Sequence, residues 1–263
     1  NIYLIYNTVS EGLDAGENVM KELYNFPIYR RHVERRGNEQ TIMLGFSDGT
    51  KDGGYLKANW EIYETKEQLT KVSEDYGIKV IFFDGRGGPP ARGGGKTHDF
   101  YASQGKTIAN NKIEITIQGQ TITSVFGNKD QAKYNFEQLL TAGIENDVFK
   151  NSKKDLSQKE RELIEELANI SFKKYSDLKA HPMFVPYLQE MSTLEYYGKT
   201  NIGSRPSKRG AGNEIKFEDL RAIPFVGSWS QLKQNVPGFF GFGFALHDLK
   251  KEGRFDEVLA LYK

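Results

Sequence analysis

The stretch "IKVIFFDGRGGPPARGGGKTH", residues 78–98, joins an apolar run to a cationic, glycine-rich loop. The run is short and rich in branched and aromatic side chains, which predicts a buried strand. Six glycines and two arginines lie in the loop after it. Glycine lets backbone N–H groups converge on an anion, and arginine binds phosphate or carboxylate through paired hydrogen bonds. We therefore expect Arg86 and Arg92 to belong to an anion-binding site after this strand, rather than to a mobile loop with basic side chains.

The end of this loop, "GGGKT", resembles part of a nucleotide-binding P-loop. That motif, G-x-x-x-x-G-K-[S/T], has a glycine five residues before its second glycine. The residue at that position here is Pro90. A P-loop is therefore rejected, although an unrelated nucleotide-phosphate binder stays among the functional alternatives.

Two further apolar runs predict strands that belong to the same core. They are "IYLIY" at 2–6 and "TIMLGF" at 41–46. Helical periodicity predicts a short helix over 17–24 and a long one over 54–76, with Gly77 as the C-cap of the second. Continuous apolar strands that alternate with helices are typical of parallel pairing in an α/β core.

The pattern changes in the middle of the chain. The segment "KIEITIQGQTITSVFG" at 112–127 alternates isoleucine with polar residues and turns at Gly119, which predicts a β-hairpin. A helix is expected over 131–141. A capping box, "SQKE" at 157–160, then predicts the start of a longer helix.

These patterns divide the chain into an α/β portion, residues 1–127, and a mainly helical portion, residues 128–263. The helical portion is interrupted by a basic loop, "NIGSRPSKRGAGNE" at 201–214, which contains Arg205. The chain begins without an initiator methionine, so we expect both portions to form one structural unit of a longer protein.

The composition excludes several classes of function. Lys plus Arg is 36 and Asp plus Glu is 35, so the net charge of +1 provides no general attraction to nucleic acid. No apolar run reaches the roughly 20 residues that a membrane helix needs. Cysteine is absent, which excludes disulfides and thiolate metal sites. We expect a cytoplasmic protein that binds neither nucleic acid nor membrane.

Polar side chains also come directly after the second predicted strand, in "GFSDGTKDGG" at 45–54. In parallel α/β barrels the loops at the carboxyl ends of the strands carry the chemistry. Asp48 offers a hard oxygen ligand for Mg²⁺ or Mn²⁺, and Lys51 offers a cation for a substrate oxyanion. The alternative is a turn in which Asp48 is only a helix N-cap.

Four motifs, in order, resemble the phosphoenolpyruvate carboxylase family. They are "GFSDGTKD" at 45–52, "FDGRGGPPARGGG" at 83–95, "GSRPSKR" at 203–209 and "LRAIPF" at 220–225. The corresponding family motifs read G-Y-S-D-S-x-K-D, F-H-G-R-G-G-x-x-x-R-G-G-G, G-S-R-P-x-K-R and L-R-A-I-P-W. The resemblance covers almost the whole chain. It implies the middle-to-late portion of a longer enzyme, with part of a TIM-like α/β barrel and extensive added helices.

The resemblance also implies roles for individual residues. Asp48 matches a carboxylate ligand of the catalytic Mg²⁺ or Mn²⁺, and Lys51 matches an active-site lysine. Arg86 and Arg221 match arginines that bind the phosphate of phosphoenolpyruvate. Arg92 matches an arginine near the active site that is linked, in bacterial members, to an aspartate inhibitor. Further candidate site residues are Asp84 and Arg205.

The implied activity is that of a carbon–carbon lyase, which combines phosphoenolpyruvate and bicarbonate into oxaloacetate and phosphate. Phosphate passes to bicarbonate, and the enolate of pyruvate attacks the resulting CO₂. The full-length protein is then expected to be a homo-oligomer. The alternative is a non-catalytic phosphometabolite-binding or interaction module on the same scaffold.

Several departures from the family pattern stand out. The histidine of the glycine-rich loop is replaced by Asp84, an anion that should repel a phosphate unless it is paired. A second metal-ligand glutamate falls at Asn7, which keeps an oxygen and loses the charge. The family's catalytic histidine segment, T-A-H-P-T, is missing, as is its final C-terminal portion. We therefore expect this chain alone to be inactive.

Overall fold

The structure, a computed structural model, describes residues 4–6, 15–117, 120–149, 155–199 and 216–262. The chain forms two compact units. The first, called the sheet unit, comprises Asn1–Phe46, Glu61–Pro89 and Gly94–Asp155. The second, called the helical unit, comprises Ser47–Trp60, Pro90–Gly93 and Leu156–Lys263.

The sheet unit contains a four-stranded sheet in the order β1-β2-β3-β4. Its strands are β1 (Leu4–Tyr6), β2 (Glu39–Leu44), β3 (Lys79–Asp84) and β4 (Ile113–Ile115). All three pairings are parallel, and the first two, β1 with β2 and β2 with β3, confirm the pairing predicted from the apolar runs. Leu44 lies opposite Asp84, so the segments after β2 and β3 leave the sheet at the same edge.

The predicted hairpin over 112–127 is wrong. β4 pairs in parallel with β3, and the second half of the segment forms a helix, α6 (Gln120–Phe126). Alternating isoleucines predict a strand, but they do not determine which other strand it pairs with. Here the partner is β3. In the second half, Ile122 and Phe126 are four residues apart, a spacing that suits a helix as well as a strand. Gly119 lies outside the described residues.

In the sheet unit the helices predicted over 17–24, 54–76 and 131–141 are confirmed, the first and third with longer bounds, and three further helices were not predicted. The helices of this unit are α1 (Gly16–Asn25), α2 (Pro27–Arg35), most of α4 (Tyr55–Asp75), α5 (Thr97–Ala102), α6 and α7 (Lys129–Val148). At the end of α4, Gly77 has φ +67° and its N–H donates to the Glu74 carbonyl at 2.9 Å. The N–H of Ile78 donates to the Ser73 carbonyl at 2.8 Å, so the helix ends in the glycine C-cap that the sequence predicted.

The helical unit is built from α-helices and two short 3-10 turns among its described residues. The helices are α3 (Phe46–Gly53), α8 (Gln158–Lys179), α9 (Phe184–Met191), α10 (Leu194–Lys199), α11 (Ala222–Gln231), α12 (Val236–Phe239), α13 (Phe242–Lys251) and α14 (Phe255–Tyr262). The turns are Pro90–Arg92 and Phe217–Asp219. The capping box of α8 is confirmed, because Ser157 N–H donates to Glu160 at 2.7 Å and Glu160 N–H donates to Ser157 Oγ at 3.3 Å.

An aromatic cluster forms one core of the helical unit. The rings of Phe184 and Trp229 lie 5.8 Å apart, and Phe225 packs against both. Ala91, in the middle of the first 3-10 turn, is fully buried in the same cluster. The centre of the glycine-rich loop is therefore anchored in the core of this unit.

The α/β class is confirmed, as a mainly helical chain with a small parallel sheet. The four described strands are half the number found in a complete TIM barrel. Of the helices that the structure describes, each is too short or too polar to span a bilayer.

Candidate functional site

A buried ion pair occupies the carboxyl end of β3. Asp84, the last residue of the strand, is 0% exposed, and Lys66 on α4 is 1% exposed. Lys66 Nζ lies 2.9 Å from each carboxylate oxygen of Asp84. The hydroxyl of Tyr101, on α5, donates to Asp84 Oδ2 at 2.9 Å. The anion that replaces the family's histidine is therefore paired, and its charge is balanced inside the protein.

The ionisation of these groups reflects their burial. Burial lowers the pKa of Lys66, the charge of Asp84 opposes that shift, and the charge of Arg86 adds to it. Burial raises the pKa of Tyr101, and the neighbouring Asp84 carboxylate raises it further. Tyr101 is therefore a neutral hydrogen-bond donor at physiological pH.

Arg86, the second residue after β3, is held by the same group of side chains. Its guanidinium carbon lies 3.7 Å from the centre of the Phe100 ring, a close cation–π contact. Its guanidinium carbon also lies 5.8 Å from the centre of the Tyr101 ring, which meets Phe100 edge-on at 5.0 Å. Arg86 is only 8% exposed and packs against both rings.

Arg86 lines a cavity of about 630 Å³ in the sheet unit. Gly87 and Gly88 of the loop line the same cavity. Its other walls are mainly apolar and come from β4, α6 and α7, among them Ile115, Phe126 and Leu140. Arg86 is the charged residue among those that line this cavity, so an anion entering it would meet a cationic side chain.

The glycines of the loop are required by its tight backbone. A Cβ on Gly94 would lie 1.8 Å from the Gly88 carbonyl oxygen, because the N–H of Gly94 donates to the Pro89 carbonyl at 2.9 Å. The N–H of Gly93 likewise donates to the Pro90 carbonyl, also at 2.9 Å. These two amides bind the loop's own carbonyls. Because the N–H groups of Gly93 and Gly94 are already hydrogen-bonded within the loop, the arginine side chains are better candidates for contact with an anion.

In the helical unit, Asp48 and Arg92 are neighbours. Asp48 is the third residue of α3 and half-buried, so it lies inside the helix and not at its N-cap. Arg92 Nε donates to Ser47 Oγ at 3.2 Å. Burial lowers the pKa of Arg92 and the charge of Asp48 opposes that shift. An arginine of the glycine-rich loop and the carboxylate of the "FSDG" segment are thus brought together.

Lys51, at the last turn of α3, is held by residues far away in sequence. Its Nζ donates to the carbonyl oxygen of Phe217 at 3.1 Å and lies 4.5 Å from the centre of that ring. Lys179 Nζ lies 5.3 Å from the same ring and donates to the Asp52 carbonyl. The hydroxyl of Tyr175 donates to the Lys51 carbonyl at 3.0 Å. Sequence reasoning missed Lys179 and Tyr175, because they lie on α8, more than a hundred residues along the chain.

Arg221 immediately precedes α11 and is half-buried. Its Nε is buried and has no hydrogen-bond partner among the residues that the structure describes. A buried donor of this kind costs free energy unless a ligand or water satisfies it. Two other candidates from the sequence, Asn7 and Arg205, lie outside the described residues.

Fold and charge together describe an α/β protein with cationic side chains at the carboxyl end of a strand and on the first helix of a second unit. The family model for phosphoenolpyruvate carboxylase matches residues 4–263. The chain therefore belongs to the phosphoenolpyruvate carboxylase family.

Curated relatives agree with this assignment. The chain is 37% identical over 250 residues to the phosphoenolpyruvate carboxylase of Corynebacterium efficiens and 38% identical over 250 residues to that of Corynebacterium glutamicum. Each alignment covers 95% of this chain and 27% of the relative. The enzyme of Corynebacterium diphtheriae is 34% identical over 265 residues, which is 98% of this chain and 29% of the relative. The chain thus spans little more than a quarter of the length of the relatives it matches.

Proposed function

We propose that the full-length protein containing this chain is a phosphoenolpyruvate carboxylase, a carbon–carbon lyase that forms oxaloacetate and phosphate from phosphoenolpyruvate and bicarbonate. One observation carries the proposal beyond family membership. Arg86 stands at the end of β3 beside a cavity, and the neighbouring anion Asp84 is neutralised by Lys66. The replacement of the family's histidine is therefore compatible with phosphate binding.

Each cationic residue has a proposed role. Arg86 and Arg221 bind the phosphate of the substrate, a role for which the cavity beside Arg86 and the unsatisfied Nε of Arg221 are suited. Lys51 and Arg92 act at the reacting groups. The phosphoryl group moves from the enol oxygen to bicarbonate, and fixed guanidinium groups stabilise the charge on its oxygens. The phosphorylated bicarbonate then breaks its C–O bond to give CO₂ and phosphate, and the enolate carbon forms a bond to the carbon of CO₂.

A divalent cation, Mg²⁺ or Mn²⁺, is part of the proposal. Asp48 suits such an ion because its carboxylate is a hard oxygen donor and is half-exposed, so water can fill the remaining coordination positions. When bound, the ion would stabilise negative charge on the enolate oxygen. Asp48 would hold it, with Arg92 nearby balancing the carboxylate when the ion is absent. Asp84 and Arg205 are proposed as further residues of the site.

The proposal extends to the organisation of the whole protein. The four parallel strands would form half of a TIM-like barrel with eight strands, and residues 128–263 would be the mainly helical portion that accompanies the α/β portion, residues 1–127. An aspartate-type inhibitor acting near Arg92, a homo-oligomeric state and a cytoplasmic location belong to the same hypothesis.

The test is bicarbonate-dependent formation of oxaloacetate by the full-length protein, with Mg²⁺ or Mn²⁺ present. Losing one partner of a buried charge-assisted contact costs about 2–5 kcal/mol, so Arg86→Ala should lower kcat/KM at least about thirtyfold. The kcat/KM of Arg86→Lys should lie between those of the parent and Arg86→Ala, because lysine keeps the charge and loses the paired hydrogen bonds. Arg31→Ala, at an exposed arginine of α2, is the matched control and should match the parent.

Two outcomes would contradict the proposal. A full-length protein that binds phosphoenolpyruvate but forms no oxaloacetate would instead be the non-catalytic binding module. An active protein whose kcat/KM is unchanged by Arg86→Ala would remove Arg86 from the phosphate site.

A further inference from the structure

We propose that Lys66 is a positioning residue for Arg86: it neutralises Asp84, so that this carboxylate does not compete with the substrate phosphate for the Arg86 guanidinium. The inference rests on the proposed function and adds to it a residue that none of the four sequence motifs contains. Lys66 lies on α4, eighteen residues before the end of β3, in a segment with no recognisable motif.

The ion pair between Lys66 and Asp84 is closed off from solvent. Lys66 reaches across from α4 to the carboxyl end of β3, where its ammonium lies 2.9 Å from both oxygens of Asp84. The same ammonium lies 5.2 Å from the centre of the Phe82 ring and 5.4 Å from that of Phe100. Both charged side chains are excluded from solvent, since Asp84 is 0% and Lys66 1% exposed. Each of the two therefore depends on the other for stabilisation of its charge.

The ion pair is connected to Arg86 through Tyr101. Asp84 and Arg86 are separated by one residue, and Tyr101 contacts both, because its hydroxyl donates to Asp84 and its ring centre lies 5.8 Å from the Arg86 guanidinium carbon. Arg86 and Lys66 both lie against the Phe100 ring, at 3.7 Å and 5.4 Å from its centre. Both cations thus surround a single buried carboxylate and its hydrogen-bonded tyrosine.

Loss of the positive charge on Lys66 would change the environment of Arg86. Asp84 would become an uncompensated buried anion beside Arg86. Because such an anion is costly, the Arg86 guanidinium would replace Lys66 as its ion-pair partner. An arginine engaged by a neighbouring carboxylate binds phosphate less well. Lys66 therefore acts on substrate binding through Asp84, without touching the substrate.

A positioning role for Lys66 and a purely structural role have different consequences for substrate binding. If the pair served stability alone, Lys66→Met and Asp84→Asn would both destabilise the protein and leave substrate binding alone. If Lys66 protects Arg86, the two replacements act on phosphate binding in opposite directions. Lys66→Met leaves the anion and weakens binding, whereas Asp84→Asn removes the anion and strengthens it.

The experiment uses the full-length protein and compares Lys66→Met, Asp84→Asn and the double variant with the parent. We expect Lys66→Met to raise the KM for phosphoenolpyruvate roughly tenfold, with a smaller change in kcat. Asp84→Asn should lower KM by up to about threefold, and the double variant should return KM to within about threefold of the parent. Lys57→Met is the matched control, because Lys57 also lies on α4 and forms an ion pair, at 2.8 Å, with Glu165.

An unchanged KM in Lys66→Met, at a lowered melting temperature, would overturn the inference, as would a double variant that binds as poorly as Lys66→Met. A tenfold rise in Lys57→Met as well would also overturn it, because the effect would then belong to α4 as a whole. If Lys66→Met does not fold, the double variant and Asp84→Asn still test the expected order of KM values. A parent that forms no oxaloacetate would defeat the proposed function alone, since titration with phosphoenolpyruvate still measures the effect of Lys66 on binding.

Discussion

At the scale of single residues, the most informative feature is a carboxylate whose effect on the site depends on its partner. Asp84 alone, beside a phosphate-binding loop, would repel the substrate. Asp84 paired with Lys66 at 2.9 Å is electrically balanced, and Tyr101 satisfies a further hydrogen bond. Such a pair adds little net stability relative to an apolar pair, but removing one partner is costly because it leaves a buried charge. The effect of either replacement therefore depends on which partner remains.

Tyr175 provides a residue-scale prediction about pH. Burial raises the pKa of Tyr175 well above its usual value, and Asp52 adds to the shift. Above about pH 10 a tyrosine in the unfolded chain loses its proton while the buried Tyr175 keeps it, so the folded state binds more protons. The free energy of unfolding should therefore fall by about 1.4 kcal/mol per pH unit from this residue, and Tyr175→Phe should not show that part of the decline.

The measurement is denaturant unfolding of the parent and of Tyr175→Phe from about pH 9 to pH 11, with the difference between them plotted against pH. Taking the difference cancels the other titrating groups. Tyr187→Phe, at an exposed tyrosine of α9, is the control for the loss of a tyrosine hydroxyl. Parallel curves for the parent and Tyr175→Phe would show that Tyr175 titrates normally in the folded protein.

At the scale of elements, the glycine-rich loop is a close-packed piece of backbone and not a flexible connection. Its centre, the 3-10 turn Pro90–Arg92, carries a fully buried Ala91. Gly93 and Gly94 donate to carbonyls within the loop. The loop is therefore shaped by its own hydrogen bonds, and Arg86 at its start packs against the rings of α5.

We predict that Gly94→Ala disrupts this loop. The added Cβ would lie 1.8 Å from the Gly88 carbonyl oxygen and 2.7 Å from that of Pro89, and both are backbone atoms that cannot rotate away. Overpacking of this kind costs about 1–3 kcal/mol, and the loop must shift to relieve it. In the full-length protein we expect a lower melting temperature and a higher KM for phosphoenolpyruvate.

Gly143→Ala is the matched control for that prediction. Gly143 lies within α7, and a Cβ there would meet no atom within 4 Å. Alanine is favoured over glycine inside a helix by about 0.5–1 kcal/mol, so this variant should be as stable as the parent or more stable. Equal melting temperatures and equal KM values for the parent and Gly94→Ala would show that the loop has room to adapt.

At the scale of the whole molecule, the chain corresponds to little more than a quarter of the length of its curated relatives. It spans 27–29% of the corynebacterial relatives, and its described residues supply four parallel strands. We predict that the isolated chain does not carboxylate phosphoenolpyruvate, because a TIM-like barrel needs eight strands and the family's catalytic histidine segment is missing from this sequence. The purified chain, assayed with bicarbonate and Mg²⁺ or Mn²⁺, should read at background while the full-length protein turns over. Turnover by the isolated chain that Arg86→Ala abolishes would contradict this expectation.

The sequence alone determined the features that depend on neighbouring residues. The apolar runs identified β1, β2 and β3, and their continuous character predicted parallel pairing. The glycine C-cap of α4 and the capping box of α8 were also predicted, because each is a hydrogen-bond pattern completed within six residues. The four motifs identified the family for the same reason, since each is a short continuous segment.

Only the tertiary structure decided the features that join distant parts of the chain. The pairing of β4 with β3 was missed, because a strand's own residues do not specify its partner. Lys66 pairs with Asp84 across 18 positions of the chain, and Lys51 contacts Phe217 across 166 positions. Packing sets such contacts, and no local pattern of charge or periodicity encodes them. A buried ion pair is stable only when the fold brings both partners together out of water, so its existence is a property of the folded chain.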